Sequence, residues 1–151
     1  MRIKKTVMLL IVVLIALCVT NTAYTVNQHK PLAPLKAYVS LTPDAKTEIN
    51  PETKKEQLTV AVQHRTSKAN VVILMAIDKA GDAKSFIIIE QYYIRAEHTM
   101  LTFYIGDKDN SGIIDDIRMY IGNVAVELTE EQKAEIVRHV LDDAYTYFNV
   151  T

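Results

Sequence analysis

From Leu58 onward, short apolar runs alternate with polar or glycine-containing breaks, and this pattern predicts a succession of β-strands. The runs are LTVAVQHR, NVVILMAID, KSFIIIEQYYIRAE, HTMLTFYIG and IIDDIRMYIG. The first run is the least distinctive, because Asn50 before Pro51 is a helix-start signal and Leu58, Ala61 and Val62 also fit one helical face. The spacing predicts an antiparallel meander of five strands, or of four if the first run is helical.

Two of these runs, VVILMAI and FIII, are almost continuously apolar. A strand with one solvated face alternates apolar and polar side chains, whereas a strand covered on both faces does not need to. The two runs therefore predict central strands with apolar cover on each face of the sheet.

A C-terminal helix is predicted over LTEEQKAEIVRHVLDDAYTYF. Thr129 and Gln132 have the spacing of a capping box at its start. Apolar residues then recur at helical spacing, namely Val137, Val140, Leu141, Ala144, Tyr145 and Phe148. A helix of this kind packs on one face of the meander, so the predicted fold class is α+β.

The opposite face of the sheet has no second helix predicted to cover it. Three covers remain open: the proline-containing segment before the sheet, another copy of the chain, or a partner molecule. Four strand tyrosines suit either a half-wet sheet or an interface, and they are Tyr92, Tyr93, Tyr104 and Tyr120.

The first 26 residues form an export signal or a membrane anchor. Arg2, Lys4 and Lys5 precede an uncharged apolar run from Val7 to Val19, which is the order of a signal peptide. Thirteen apolar residues are short of the ~20 that span a bilayer, which favours cleavage. Asn21 fits a small-residue cleavage site poorly, however, so a retained anchor stays open. Either outcome predicts an extracytoplasmic domain: periplasmic, secreted, or anchored with its C-terminal part outside.

Residues 27–57 are predicted to be a tether, because all four prolines of the chain lie between residues 31 and 51. Within this segment LKAYVSL alternates apolar and polar residues, so a short edge strand is a competing interpretation. Residues 58–151 are then one α+β domain, which agrees with the size of the chain.

Composition narrows the classes of partner. Cys18, the single cysteine, lies inside the signal, so an exported domain has no disulfide and no cysteine metal site. Removing Arg2, Lys4 and Lys5 from the 17 basic residues leaves 14 against 18 acidic residues, a formal charge of about −4. Nucleic acid is therefore not a predicted partner.

The stretch GDKDNSGIIDDI lies between the last two predicted strands and concentrates acidic side chains. Calcium prefers six to eight oxygen ligands, and carboxylates on alternate residues of a tight turn point toward one centre. The spacing places Asp107, Asp109 and Ser111 at positions one, three and five, followed by a glycine. The alternative interpretation is a polar hairpin tip whose aspartates face water.

In this spacing the stretch resembles the calcium loops of EF-hands and dockerins, which share D-x-[DN]-x-[DNS]-G. It departs from the EF-hand pattern at the twelfth position, where Arg118 replaces a bidentate acid. Because strands flank it, the loop is more similar to the strand-loop-strand calcium sites of integrin-type propellers. That resemblance implies Ca²⁺ as the ion and the following ligands: Asp107, Asp109, Ser111, Ile113 and Asp115.

No catalytic motif is present: the chain lacks G-x-S-x-G, H-E-x-x-H and a glycine-rich phosphate loop. The four histidines are dispersed, and His139, one turn after Glu135, is expected to form an exposed pair with it. The predicted function is a non-catalytic exported domain that binds a protein or envelope component and is stabilised by calcium. The alternative is a small metal-dependent hydrolase that uses the carboxylates between Asp107 and Asp116.

Overall fold

The computed structural model of the chain describes residues 30–41, 45–49, 56–78 and 80–151. Its helices are α1 (Ala33–Ser40) and α2 (Glu130–Tyr147), and a 3₁₀ turn spans Arg95–Glu97. Its strands are β1 (Ala45–Ile49), β2 (Glu56–Arg65), β3 (Ala69–Ile77), β4 (Ala83–Ile94), β5 (Thr99–Asp107), β6 (Asp116–Ile121) and β7 (Val124–Ala125). The predicted α+β class is confirmed. The predicted signal or anchor, residues 1–26, lies outside the described residues.

The strands form one antiparallel sheet in chain order from β1 to β7, which is the predicted meander. The five predicted runs are β2 to β6, and the first run is a strand rather than a helix. The count of four to five strands was too low, because two short edge strands were missed. β1 lies within the predicted tether, and β7 has two residues, too few for a periodic signal.

Helix α2 begins as predicted. Thr129 Oγ1 accepts a hydrogen bond from the backbone N–H of Gln132, and the Gln132 side chain accepts one from the backbone N–H of Thr129. This capping box satisfies two amide groups that a helix start would leave unpaired. The apolar stripe of α2 packs on β4, β5 and β6, and its buried residues are Ile136, Val137, Val140, Leu141 and Ala144.

Both interpretations of LKAYVSL, an extended tether and a short edge strand, are wrong, because residues 33–40 form helix α1. Pro34 lies in the first turn, where a missing amide hydrogen costs no helical hydrogen bond. Leu35 and Val39 are both fully buried. They are four residues apart, a spacing that fits a helical face as well as strand alternation. The segment predicted as an extended tether therefore contributes a helix to the core.

Both helices lie on the same face of the sheet. α1 contacts β2 and β3, and its buried side chains join the same core cluster as those of α2. The ends of the two helices lie close together: Tyr145 Oη of α2 donates a hydrogen bond of 2.6 Å to the carbonyl of Pro31, just before α1, and the ring of Tyr38 in α1 lies with its centroid 5.5 Å from that of Phe148, just after α2. The core thus lies between the sheet and a two-helix layer.

The opposite face of the sheet has a different character. Val72, Leu74, Ile87 and Ile89 point to it, and they neither belong to the core cluster nor pack against it. The prediction that the central strands are covered on both faces is therefore not met by any element in the described part of the chain. Within that same part, no helix is both long enough and apolar enough to cross a membrane.

Candidate functional site

The predicted calcium loop connects β5 to β6. Asp107, the last residue of β5, is completely buried, and its carboxylate accepts hydrogen bonds from two loop amides. Its Oδ1 accepts a hydrogen bond of 2.9 Å from the N–H of Ser111, and its Oδ2 accepts one of 2.9 Å from the N–H of Gly112. Gly112 has φ of +89°, which glycine adopts without strain. Asp107 therefore organises the turn from its base.

A lysine from α1 supplies a positive charge at the base of this loop. Lys36 Nζ donates one hydrogen bond to Asp107 Oδ2 and another to Asn110 Oδ1, each 2.6 Å long. Asn110 in turn donates its side-chain amide to the carbonyl of Ala83 on β4. A cation belonging to the protein thus binds two oxygens of the predicted calcium loop.

The loop brings Asp107, Asp109 and Ser111 together, because both aspartates accept a hydrogen bond from the backbone N–H of Ser111 and Ser111 Oγ donates to Asp107 Oδ1. Asp109 Oδ1 accepts a hydrogen bond of 3.1 Å from the N–H of Ser111. Hydrogen bonds from Ser111 hold the pKa of Asp109 below its usual value. Asp115 Oδ1 accepts a hydrogen bond of 3.1 Å from the N–H of Lys108. The side chain of Ile113 is 69% exposed. Calcium binding by these residues stays a prediction.

Two basic residues engage Asp116, the last acid of the stretch. Lys108 Nζ lies 3.0 Å from its Oδ2, and Arg118 binds both carboxylate oxygens. Burial opposes ionisation of Asp116, but these two cations outweigh it and lower its pKa. Arg118 also lies over the ring of Tyr104, 4.9 Å from its centroid. The arginine therefore points away from the loop centre.

A second polar cluster lies between the sheet and α2. β4 directs Glu90 and Tyr92 toward the helix layer, and α2 presents His139 and Asp143, which are one turn apart. The hydroxyl of Tyr92 lies 2.6 Å from Glu90 Oε1, 2.9 Å from His139 Nε2 and 3.0 Å from Asp143 Oδ2. One hydroxyl therefore joins three ionisable groups.

Glu90 has an unusual environment. It is completely buried, and its Oε2 has no hydrogen-bond partner among the described residues. Burial, together with the neighbouring carboxyl group of Asp143, raises the pKa of Glu90 to about 9. A neutral Glu90 agrees with the geometry, because a hydroxyl has one proton and cannot donate to Glu90 and Asp143 at once.

Sequence reasoning missed this cluster. His139 was expected beside Glu135, but Glu135 instead binds Arg138, and His139 faces the sheet. A usable signal was present in FIIIEQYY. Phe86, Ile88 and Glu90 alternate on one face of β4, so the glutamate occupies a core position in a strand that is otherwise apolar.

The open sheet face is defined here as the side of β2 to β6 that faces away from both helices. Its centre is aliphatic: Val72 pairs with Ile89, and Leu74 pairs with Ile87, across β3 and β4. These four side chains are partly exposed. They form one contiguous apolar patch, because cross-strand neighbours on one face are about 5 Å apart.

Polar groups border this patch. Gln63 donates to Asn70, and Asn70 donates to Gln91, so amide side chains link three strands. Of the four tyrosines named from the sequence, Tyr92 lies on the helix side. The registers of β4, β5 and β6 place the other three on the open sheet face: Tyr93, Tyr104 and Tyr120.

A groove of about 500 Å³ lies between the β5–β6 loop and the start of α2. Ile114, Ile117 and Val137 are among its apolar lining residues, and Lys30, Glu131 and Lys133 are among its charged ones. The chain shows no buried polar group aimed into it among the described residues. The groove therefore indicates a class of ligand less clearly than the Glu90 cluster does.

Comparisons of the chain with protein-family models, with curated proteins and with solved structures found no match.

Proposed function

We propose that this chain is an exported, non-catalytic domain that binds a protein partner through its open sheet face. The observation that carries the proposal is the patch of Val72, Leu74, Ile87 and Ile89 on a face that no described element covers. A contiguous apolar patch at the surface is a common feature of protein interaction sites. Alternate residues of these two strands thus build the core on the helix side, and the others form a recognition surface on the open sheet face.

The chemistry of this face favours a protein over other classes of partner. Its centre is branched and aliphatic and its three tyrosines lie at the border, whereas single-stranded nucleic acids bind grooves that combine aromatic rings with clustered basic residues. Anionic lipids and nucleic acids attract clusters of lysine and arginine. The open sheet face instead carries Arg65 at one end and Arg118, already bound to Asp116, at the other. An apolar, uncharged partner surface fits it best.

The arrangement of the face also agrees with a protein interface. Two strands about 4.8 Å apart and about four residues long give the aliphatic centre an area on the order of 100 Å², and four such strands of about six residues give the whole face an area on the order of 400 Å². Specific interfaces commonly bury about 800 Å² on each partner and surround an apolar centre with a polar rim. The Gln63–Asn70–Gln91 amides and the three tyrosines supply such a rim.

The N-terminal residues give the domain its location in this proposal. The signal directs residues 27–151 out of the cytoplasm, and a signal that is not cleaved holds the domain at the membrane. Calcium enters the proposal as a competitor of Lys36, because both cations would bind Asp107. An ion that replaces Lys36 would rigidify the β5–β6 loop.

The hydrolase alternative receives no support from the loop. Lys36 binds the carboxylate of Asp107, and Lys108 and Arg118 bind that of Asp116. Those two carboxylates are therefore already neutralised by the protein.

The proposal is tested by site-specific photo-crosslinking. A photoreactive residue replaces Ile89 in the full chain, expressed in its native cells, and a matched sample carries it at Ile113 in the exposed β5–β6 loop. We expect a discrete protein adduct from position 89 and none of that mass from position 113. Mass spectrometry identifies the partner protein in the adduct, and that partner is then purified.

Binding of the purified partner is then measured with the full chain, with Ile89→Lys and with Ile113→Lys. We expect Ile89→Lys to weaken binding by about tenfold or more, because a charge would enter the apolar centre, and Ile113→Lys to have no effect. Leu74→Lys serves as the second variant if Ile89→Lys does not fold. An adduct of two copies of the chain, no adduct, or equal binding by the variants would overturn the proposal.

A further inference from the structure

We propose that Glu90, His139 and Asp143 form a binding site for a divalent transition-metal ion of the zinc class. One imidazole nitrogen and two carboxylate oxygens from these residues lie within 4.8 Å of one another. The site is separate from the open sheet face, because it lies between β4 and α2 on the helix side.

The distances agree with a single ion. Donor atoms that bind one tetrahedral zinc at about 2.1 Å are about 3.4 Å apart. His139 Nε2 lies 3.6 Å from Glu90 Oε2 and 3.8 Å from Asp143 Oδ2. The two carboxylate oxygens lie within 4.8 Å of each other, so side-chain shifts of about 1 Å or less bring all three donors into one coordination sphere.

Glu90 supplies the observation that distinguishes this cluster from an ordinary group of polar residues. Its Oε2 is buried, lacks a hydrogen-bond partner among the described residues, and points toward the imidazole of His139. A buried acceptor without a partner destabilises the fold, because it has lost its hydrogen bonds to water. A bound cation at this position removes that destabilisation, because the oxygen becomes a ligand.

The donor set selects the class of ion. Imidazole suits zinc, copper, iron and nickel, whereas magnesium and calcium prefer oxygen ligands alone. The side chains of His139 and Asp143 are 34% and 27% exposed, so an ion can reach them from the solvent while Glu90 forms the buried end of the site.

Tyr92 and Phe103 hold the ligands in place. The hydroxyl of Tyr92 binds Glu90 Oε1, the oxygen of Glu90 that is not a proposed donor, and so orients Oε2 toward the site. Its contacts with His139 Nε2 and Asp143 Oδ2 are to proposed donor atoms and give way to a bound ion. Phe103 packs against the imidazole of His139 with ring centroids 5.9 Å apart. Partners of this kind orient metal ligands, and losing one typically lowers metal affinity about 10- to 100-fold. Because Glu90 is on β4 and the other two ligands are on α2, the ion would tie the sheet to the helix.

The test uses the full chain, purified in mild detergent and stripped of metal with a chelator. Co²⁺ serves as a visible-absorbing substitute for zinc, and Zn²⁺ is added in competition. We expect one Co²⁺ per chain, displacement of its absorption bands by Zn²⁺, and a higher melting temperature with either ion.

Variants separate this site from binding elsewhere on the surface. Asp143→Asn and Glu90→Gln should weaken Co²⁺ binding by about 100-fold or more, and Tyr92→Phe by about 10- to 100-fold. Asp142→Asn is the matched control, since Asp142 is the preceding residue but binds Lys30 instead, 3.0 Å away. Circular dichroism checks the fold, and Asp143→Asn, at the surface of α2, decides the question if Glu90→Gln does not fold. No Co²⁺ binding by the parent, or equal binding by Asp143→Asn and Asp142→Asn, would overturn the site.

Discussion

At the residue scale, individual ion pairs and buried acids determine how the loop and the sheet are held. Lys36 and Asp107 are 71 residues apart in sequence, and their side chains are 17% and 0% exposed. Pairs this well buried depend on each other, because removing one partner leaves an uncompensated charge. Surface pairs lack this dependence, since water takes the place of the missing partner.

Lys36→Met is therefore expected to destabilise the domain by about 3 kcal/mol, because the buried Asp107 loses its cation. Urea unfolding of the full chain measures the change, and Asp107→Asn added to Lys36→Met should recover most of it. Lys84→Met is the control, since Lys84 pairs with Asp78 at the surface, and its unfolding midpoint should match the parent. An unchanged midpoint for Lys36→Met would show that the Lys36–Asp107 pair does not support the fold.

Calcium is predicted to act on the Lys36→Met variant more than on the parent. The parent loop should bind calcium weakly, with a dissociation constant on the order of 1 mM, because Lys36 competes for Asp107. In the variant that competitor is absent, so calcium should raise the melting temperature of the variant by more than it raises that of the parent. Equal melting temperatures with and without calcium in both proteins would leave the hairpin-tip interpretation in place.

Glu90 predicts a pH dependence of stability that is measurable in the metal-free chain. The pKa of Glu90 in the folded state, about 9, is raised above its value in the unfolded state. The contribution of protonated Glu90 to the free energy of unfolding is therefore fully present below about pH 4.5. That contribution is lost as the pH rises through 9, with a slope of at most about 1.4 kcal/mol per pH unit. Glu90→Gln should therefore gain stability relative to the parent between pH 5 and 9.

Urea midpoints at pH 5, 7 and 9, with a chelator present, measure this difference. The same trend for parent and variant would mean that Glu90 titrates as an ordinary carboxyl. His139, Asp143 and Tyr92 face Glu90, but they are present in both proteins, so the comparison isolates the glutamate.

At the element scale, the two helices form one layer on one face of the sheet. α2 carries the longer stripe, and α1 extends the same layer over β2 and β3. The hydrogen bond from Tyr145 of α2 to Pro31, just before α1, and the burial of Leu35 and Val39 make α1 part of the domain. The proline-containing segment is thus structural in its first part.

Leu35→Ala tests this role of α1. Leu35 is fully buried, so its truncation should cost about 2–4 kcal/mol of unfolding free energy. Leu41→Ala, at the end of the same helix, removes a side chain that is 85% exposed and should change stability by about 0.5 kcal/mol or less. Similar unfolding midpoints for the two variants would indicate that α1 does not pack on the core.

At the scale of the whole molecule, the two faces of the sheet differ. One face packs against the helices and forms the core, and no described element covers the other. Ile88 and Ile89 are adjacent in sequence and lie on opposite faces. Ile88 is fully buried under the helix layer, while Ile89 belongs to the open sheet face. Neighbouring residues therefore provide a matched comparison of the two faces.

Ile88→Lys should prevent folding, because it buries an unpaired charge in the core. Ile89→Lys should fold and unfold like the parent within about 1 kcal/mol, because the ammonium can reach water. Circular dichroism and urea unfolding of the full chain compare them. An unfolded Ile89→Lys variant would mean that part of the same chain covers this face.

The sequence by itself determined the local elements. Strand periodicity located β2 to β6, and the capping box with its apolar stripe located α2, because these signals come from neighbours in the chain. Only the tertiary structure decided that LKAYVSL is helical, since Leu35 and Val39 fit both periods and packing on β2 and β3 selects one. It also decided which polar groups meet: Lys36 with Asp107, and Glu90 with His139 and Asp143. These contacts join residues 47 to 71 positions apart, such as Tyr92 with His139, and short-range periodicity has no information at that range.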